Sequence, residues 1–103
     1  MNSKMIERMV GCIAENFQPE QVILFGSHAR GEADADSDVD FLVVRENGGS
    51  EEEDALAIRR RLREFPVACD VLVKSRRDYE RLRKVVNHIV YFADRYGKVV
   101  YER

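Results

Sequence analysis

With 103 residues, 45% of them apolar and 35% charged, the chain carries enough hydrophobic material for one core and reads as a single domain spanning 1–103. Its 17 basic and 19 acidic residues leave a formal charge of −2, which excludes a general electrostatic pull toward nucleic acid or an anionic membrane. Two cysteines without metal-ligand spacing, no signal peptide and no apolar run near the ~18 residues of a membrane span point to a reduced, cytoplasmic protein, with Cys12 and Cys69 buried in its core.

Ile6, Met9, Val10, Ile13 and Phe17 recur at helical spacing and predict a packing helix from about Ser3 to Phe17, ended by Pro19. A short apolar strand follows, about Gln21 to Phe25, and runs straight into Gly26-Ser27. That pair opens a helical turn, Ser27 to Gly31. A glycine there admits close backbone approach to a ligand, helix-start N–H groups suit an anion, and Ser27 adds a hydroxyl donor. Arg30 has two plausible roles, contacting a triphosphate or pairing with a loop carboxylate to hold the turn. His28 is a further candidate for ligand contact. The acidic stretch Glu32-Ala33-Asp34-Ala35-Asp36 reads as solvated loop, although its carboxylates could help order a metal.

A second strand, Val39 to about Arg45, is apolar through Phe41-Leu42-Val43-Val44, as in a central strand covered on both faces. It opens with Asp38 and Asp40. Alternation along a strand points both carboxylates to one face with Cα atoms roughly 6.5 Å apart, a spacing built from about 3.3 Å of rise per residue. Two such charges repel unless a cation lies between them, and hard oxygen ligands favour magnesium over zinc. Asp-x-Asp alone is also a common cap or turn pattern. Its pairing with Gly-Ser across two apolar strands is the stronger signal.

After the Asn47-Gly48-Gly49 loop, Ser50 and Glu53 form a capping box. Glu51 to Asp54 at the start of the helix and Arg59, Arg60, Arg61 and Arg63 near its end complement the dipole, while Ala55, Ile58, Leu62 and Phe65 supply the core stripe. The arginines could be a nucleic-acid patch, but a solvated face with i,i+4 partners is the simpler reading. Pro66 resets the chain into a third strand, Val67 to Val73, whose one charged residue is Asp70. A carboxylate among apolar neighbours is rarely left unpaired. If this strand lies beside the second, Asp38, Asp40 and Asp70 converge; otherwise Asp70 is a strand-end or cap residue. Ser75 with Asp78 begins a helical stripe that runs from Tyr79 to Tyr96, with a break near Val86-Asn87-His88 and Gly97 as its C′ residue. His88 reads as a surface or packing residue. Lys98 to Tyr101 closes the chain as a short edge strand.

Gly26-Ser27, ten intervening residues and Asp38-Val39-Asp40 resemble the signature of the DNA polymerase β-like nucleotidyltransferase superfamily. Gly26-Ser27-His28-Ala29-Arg30-Gly31 with Ser37-Asp38-Val39-Asp40 is similar, more closely, to the minimal nucleotidyltransferase (MNT) group, which includes MntA-type antitoxins paired with HEPN-domain ribonuclease toxins. The resemblance implies the nucleotidyltransferase fold, an α/β (α+β) domain with a mixed β-sheet of about four strands packed with helices. It also implies a third acid on a neighbouring strand, a role that falls to Asp70. Asp38, Asp40 and Asp70 would then be catalytic and hold two magnesium ions, about 3.5–4 Å apart in such sites. Asp70 would act as base toward the attacking hydroxyl. Gly26, Ser27 and Arg30 would bind the nucleotide.

On this reading an acceptor hydroxyl attacks the α-phosphate of ATP in line, pyrophosphate leaves, and AMP is the group expected to move. A chain of this length leaves no room for an acceptor-holding domain, so a tyrosine of a partner HEPN toxin is the expected acceptor, the chain serving as antitoxin and forming a complex with that partner. No membrane or direct nucleic-acid contact is expected. Two rivals remain: a non-catalytic antitoxin module that masks its toxin, and a small-molecule nucleotidyltransferase of the aminoglycoside-modifying kind.

Overall fold

The computed structural model describes residues 3–34 and 36–103. Ala35, inside the loop read as solvated, lies outside the described residues. The elements in chain order are α1 (Ser3–Phe17), β1 (Gln21–Phe25), α2 (Ser27–Arg30), β2 (Val39–Arg45), α3 (Glu51–Arg61) with a 3-10 turn at Leu62–Glu64, β3 (Cys69–Ser75), α4 (Arg76–Leu82), α5 (Ile89–Tyr96) and β4 (Lys98–Glu102). The strands form one mixed sheet in the order β3-β2-β1-β4. β1 pairs antiparallel with both β2 and β4, and β2 pairs in parallel with β3. A parallel pair needs a crossover connection, which α3 supplies. This is the mixed α+β architecture expected of a nucleotidyltransferase.

Alternation along the strands divides the core in two. Val22, Leu24, Val39, Phe41, Val43, Val71 and Val73 face Met9, Val10 and Ile13 of α1 and Ala55 and Ile58 of α3. Ile23, Leu42 and Val44 face Tyr79 of α4 and Val90 and Ala93 of α5. With helices on both sides, the continuous apolar run of β2 is accounted for: Phe41 to Val44 are all buried.

Some local details match expectation and others depart from it. β3 starts at Cys69, two residues later than the apolar run, because the chain bends after Pro66 with Val67 N donating to Phe65 O. The first β2–β3 bond is from Val39 N to Ala68 O, at 3.0 Å. α1 ends at Phe17, as the sequence predicts, and Gln18 adopts a left-handed φ of 48° ahead of buried Pro19. The long C-terminal stripe is two helices, divided by the break near Val86-Asn87-His88 that the sequence predicts. Asn87 turns left-handed (φ 73°), and His88 Nδ1 accepts from Val90 N to cap α5, a structural task for a residue read as surface or packing. Gly97 closes α5 with an extended φ of −82°. Its lack of a side chain serves proximity instead, since a Cβ would overlap Ala93 O and meet Ile23 Cγ2 at 2.7 Å.

Cys12 and Cys69 are both free thiols and only half-buried, so they flank the core and do not fill it. Arg59, Arg60, Arg61 and Arg63 are exposed and form no ion pair with described residues. The i−4 positions, Ala55, Leu56, Ala57 and Arg59, offer no carboxylate, and Glu64, four residues after Arg60, lies beyond α3 in the 3-10 turn. Among the described residues no helix is long and apolar enough to cross a membrane.

Candidate active site

The glycine-serine turn follows β1 directly. Gly26 has φ 76° and ψ −155°, a combination reserved almost wholly for glycine. Its carbonyl accepts from Ala29 N and Arg30 N, at 3.1 and 3.2 Å, to start α2, and Gly31 ends that turn in the left-handed region. The turn is tied to the loop that follows by His28 Nε2, 3.2 Å from Ser37 O. That loop is organised by Asp34, whose Oδ1 accepts from Asp36 N and Ser37 Oγ, an Asx-type arrangement. Asp34 thus has a local structural role. Arg30 Nε donates to Glu32 Oε1 at 2.7 Å, the loop pairing that was one of its two expected roles.

Where β2 begins, the carboxylates gather. The antiparallel register sets Asp40 opposite Phe25, the residue before Gly26. The parallel register sets Asp40 beside Asp70 on β3. Neighbouring strands lie about 4.8 Å apart, and register partners share a face, so the two acids stand side by side on the face covered farther along by α4 and α5. Asp38 precedes the strand, two residues before Asp40, and is exposed, as is Asp70; Asp40 is half-buried. The site therefore occupies the C-terminal end of β1 and the N-terminal ends of β2 and β3.

Electrostatics register this crowding. Burial, then the negative charges of Asp70 and Asp38, push the Asp40 carboxyl above its ordinary value, against the opposing pull of His28 and Arg30. The neighbouring Cys69 thiol is also pushed up, by burial and by Asp70, which makes it a poor nucleophile. Among the described residues no group of three His, Cys, Asp or Glu side chains stands ready to hold a metal ion. The donor chemistry nevertheless fits a hard divalent cation: these are oxygen ligands, mutually repelling, and one of them, Asp40, is held above its ordinary value by burial and then by the charges of Asp70 and Asp38.

Gly26 and Asp40 are also matched sterically. A Cβ on Gly26 would overlap Asp40 Oδ2 and lie 3.3 Å from its Cγ. The turn and the carboxylate site are thus built against each other. The structure brings Gly26, Ser27, Asp38, Asp40 and Asp70 to one end of the sheet, with Arg30 within electrostatic reach of Asp40. Sequence reasoning missed the apolar wall next to this turn, from Ile89, Phe92 and Tyr96, three members of the helical stripe that ends at Tyr96. The signal that could have found it is an apolar arc on α5 wider than one packing face requires.

Sheet order, helical cover and the turn at the end of β1 define a nucleotidyltransferase fold. The sequence profile of the nucleotidyltransferase domain matches residues 6–93, and the chain belongs to that family. Its members generally act on nucleoside triphosphates with a divalent metal. No curated protein sequence matches the chain. Among solved structures, it is similar to a Sulfolobus solfataricus protein provisionally described as a nucleotidyltransferase, at 23% identity and a TM-score of 0.67, over 97% of this chain and 79% of that one. It is also similar to a toxin-antitoxin structure solved with AMP-PNP, at 20% identity and a TM-score of 0.54, over 100% of this chain and 75% of that one. Both likenesses establish a shared fold, in keeping with a minimal nucleotidyltransferase.

Proposed function

We propose that the protein transfers a nucleoside monophosphate, AMP from ATP, to a hydroxyl on a partner protein, and that the partner is a HEPN-type toxin which the modification silences. The observation that carries the transfer reading is the alignment of Asp40 with Asp70 across the parallel β2–β3 pair, with Gly26 packed against Asp40. The antitoxin reading is supported by the shared fold with a toxin-antitoxin structure containing AMP-PNP.

Asp38, Asp40 and Asp70 would hold the magnesium ions. Bound there, the cations would supply neutralisation of phosphate charge and a lowered pKa for the acceptor hydroxyl. The Ser27 hydroxyl and the backbone N–H groups of the turn hold the terminal phosphates, and Arg30 adds positive charge on the same side. Asp70, exposed at the edge strand, takes the proton of the attacking hydroxyl. The acceptor oxygen then bonds to the α-phosphorus while the bond to the β-phosphate oxygen breaks and pyrophosphate leaves. Fixed groups at the ends of three strands position the reactants, and positioning with electrostatic stabilisation is most of what phosphoryl and nucleotidyl transfer require.

The test is incubation with magnesium, α-labelled ATP and the product of a neighbouring reading frame. Label should appear on the partner and disappear with Asp40→Asn. No label on any protein acceptor overturns the transfer reading. Label on a free aminoglycoside without a partner would replace it with the small-molecule enzyme.

A further inference from the structure

Helix α5 is more apolar than its packing explains. Val90 and Ala93 are fully buried against the sheet, yet Ile89, Phe92 and Tyr96 on the adjoining face remain 50%, 43% and 58% exposed. With Phe25, Gly26 and Arg30 these three line a cavity of about 270 Å3. The Phe92 and Tyr96 rings are stacked, 6.3 Å between centroids and 23° from parallel, and form a flat aromatic wall. Half-exposed apolar clusters of this kind on a small domain mark a place something else covers.

Position says what the occupant is. Gly26 belongs both to this cavity and to the catalytic turn, where Asp40 packs against it, and Phe25 is the register partner of Asp40. A ligand spanning the two would be polyanionic at the turn and flat and apolar in the cavity. At about 270 Å3 the cavity falls just below the roughly 300 Å3 where pockets for drug-sized ligands begin, which suits one fused ring system and not a peptide segment.

We propose that this cavity receives the nucleobase of the donor triphosphate, stacked against Phe92 and Tyr96, and that it favours purines over pyrimidines with little discrimination between adenine and guanine. The proposal rests on the nucleotidyltransferase reading above and adds the base-binding residues and the selectivity they impose. Stacking on aromatic rings accepts any π-face and strengthens with ring area. Discrimination between two purines needs buried donors or acceptors aimed at the ring edge. Of the six lining residues only Arg30 and Tyr96 carry polar side-chain groups. Both are exposed, and Arg30 is engaged by Glu32. Size therefore selects here, and edge chemistry does not.

The experiment is calorimetric titration of the full chain, in magnesium, with ATP, GTP, CTP, UTP and inorganic tripolyphosphate as the probe lacking a base. ATP and GTP should bind within about threefold of each other and both pyrimidine nucleotides about tenfold or more weakly. The double variant Phe92→Ala with Tyr96→Ala, at two exposed positions, should lower ATP affinity about tenfold while tripolyphosphate affinity changes less than twofold. Ser27→Ala should weaken both ligands alike. Unchanged ATP affinity in the double variant, or equal affinity for all four nucleotides, overturns the base-pocket assignment and leaves the transfer reading standing. Failure of the wild-type chain to bind either ATP or tripolyphosphate would sink both.

Discussion

Gly26 and Asp40 share one volume: the space a Cβ would occupy on the glycine already holds Oδ2 of the aspartate. The glycine also sits at φ 76°, ψ −155°, where L side chains are strained by roughly 1–3 kcal/mol. Two independent constraints meet at this position, one on backbone and one on packing. Gly26→Ala is therefore expected to displace Asp40 and lower nucleotidyl transfer by about 100-fold or more, in line with the cost of small misplacements at a reacting centre. A loss of stability of about 1–3 kcal/mol should accompany it. Parallel transfer assays and denaturant melts check both, and full activity in Gly26→Ala would show that the carboxylate's placement is not critical.

The cost of crowding the acids predicts an opposite effect on stability. Folding raises the Asp40 carboxyl above its ordinary value, chiefly by burial and then by Asp70 and Asp38, so the folded chain binds that proton more tightly than the unfolded one. The contribution of the neutral carboxyl is fully present below the ordinary carboxylate value of about 3.9 and is lost as pH rises through the raised value. Asp40→Asn should thus melt higher than the wild type at neutral pH without magnesium, by a few degrees, while losing transfer. The difference should vanish toward pH 3. Magnesium should raise the wild-type melting temperature and leave the variant's nearly unchanged. A variant that melts lower at neutral pH would mean that Asp40 is stabilising where it stands.

Tyr79 ties the two C-terminal helices together. Its ring is buried among Ile23, Leu42, Val44, Val90 and Ala93, and its hydroxyl donates to Asp94 Oδ1 on α5, a carboxylate that is also ion-paired with Arg83, whose Nε lies 3.3 Å away. Burial and the Asp94 charge push the phenol well above its ordinary value. Tyr79→Phe should cost about 1 kcal/mol, the net worth of a hydrogen bond, or roughly 4–8 °C in a domain near this size. The neutral phenol is the favoured form in the fold, so its contribution is complete below about pH 10 and fades above it. The wild type should lose stability on that alkaline limb faster than Tyr79→Phe, measured by melts from pH 8 to 11.

Strand positions and the glycine-serine and Asp-x-Asp pieces are legible in the sequence because each is a short apolar run bounded by Gly, Pro or a carboxylate, and those boundaries are local. The adjacency of Asp40 and Asp70 is not. It depends on α3 carrying the chain across so that β3 pairs in parallel with β2, a relationship between residues thirty positions apart. Local signals also mislead where one residue type serves two ends. Gly97 looks like a left-handed cap but is small because Ala93 O and Ile23 press on it. The stripe from Tyr79 to Tyr96 shows its break at Asn87-His88, where an Asn interrupts the apolar run, but hides an exposed aromatic face, since periodicity records which residues are apolar and not what covers them.

Asp70 separates an enzyme from a masking module. It is exposed on the edge strand, so Asp70→Asn should leave the fold and any partner-docking surface intact. If neutralisation of the toxin works by covalent transfer, this variant should still co-elute with its partner while transfer falls by about 100-fold or more, the scale on which a general base contributes. The partner should keep its toxicity in cells that express Asp70→Asn. If the protein works by covering the toxin, the variant protects as well as the wild type and no nucleotide is found on the partner. Co-elution, intact mass of the partner and growth of co-expressing cells together decide between them, because only the covalent route couples loss of the added nucleotide to loss of protection while the complex survives.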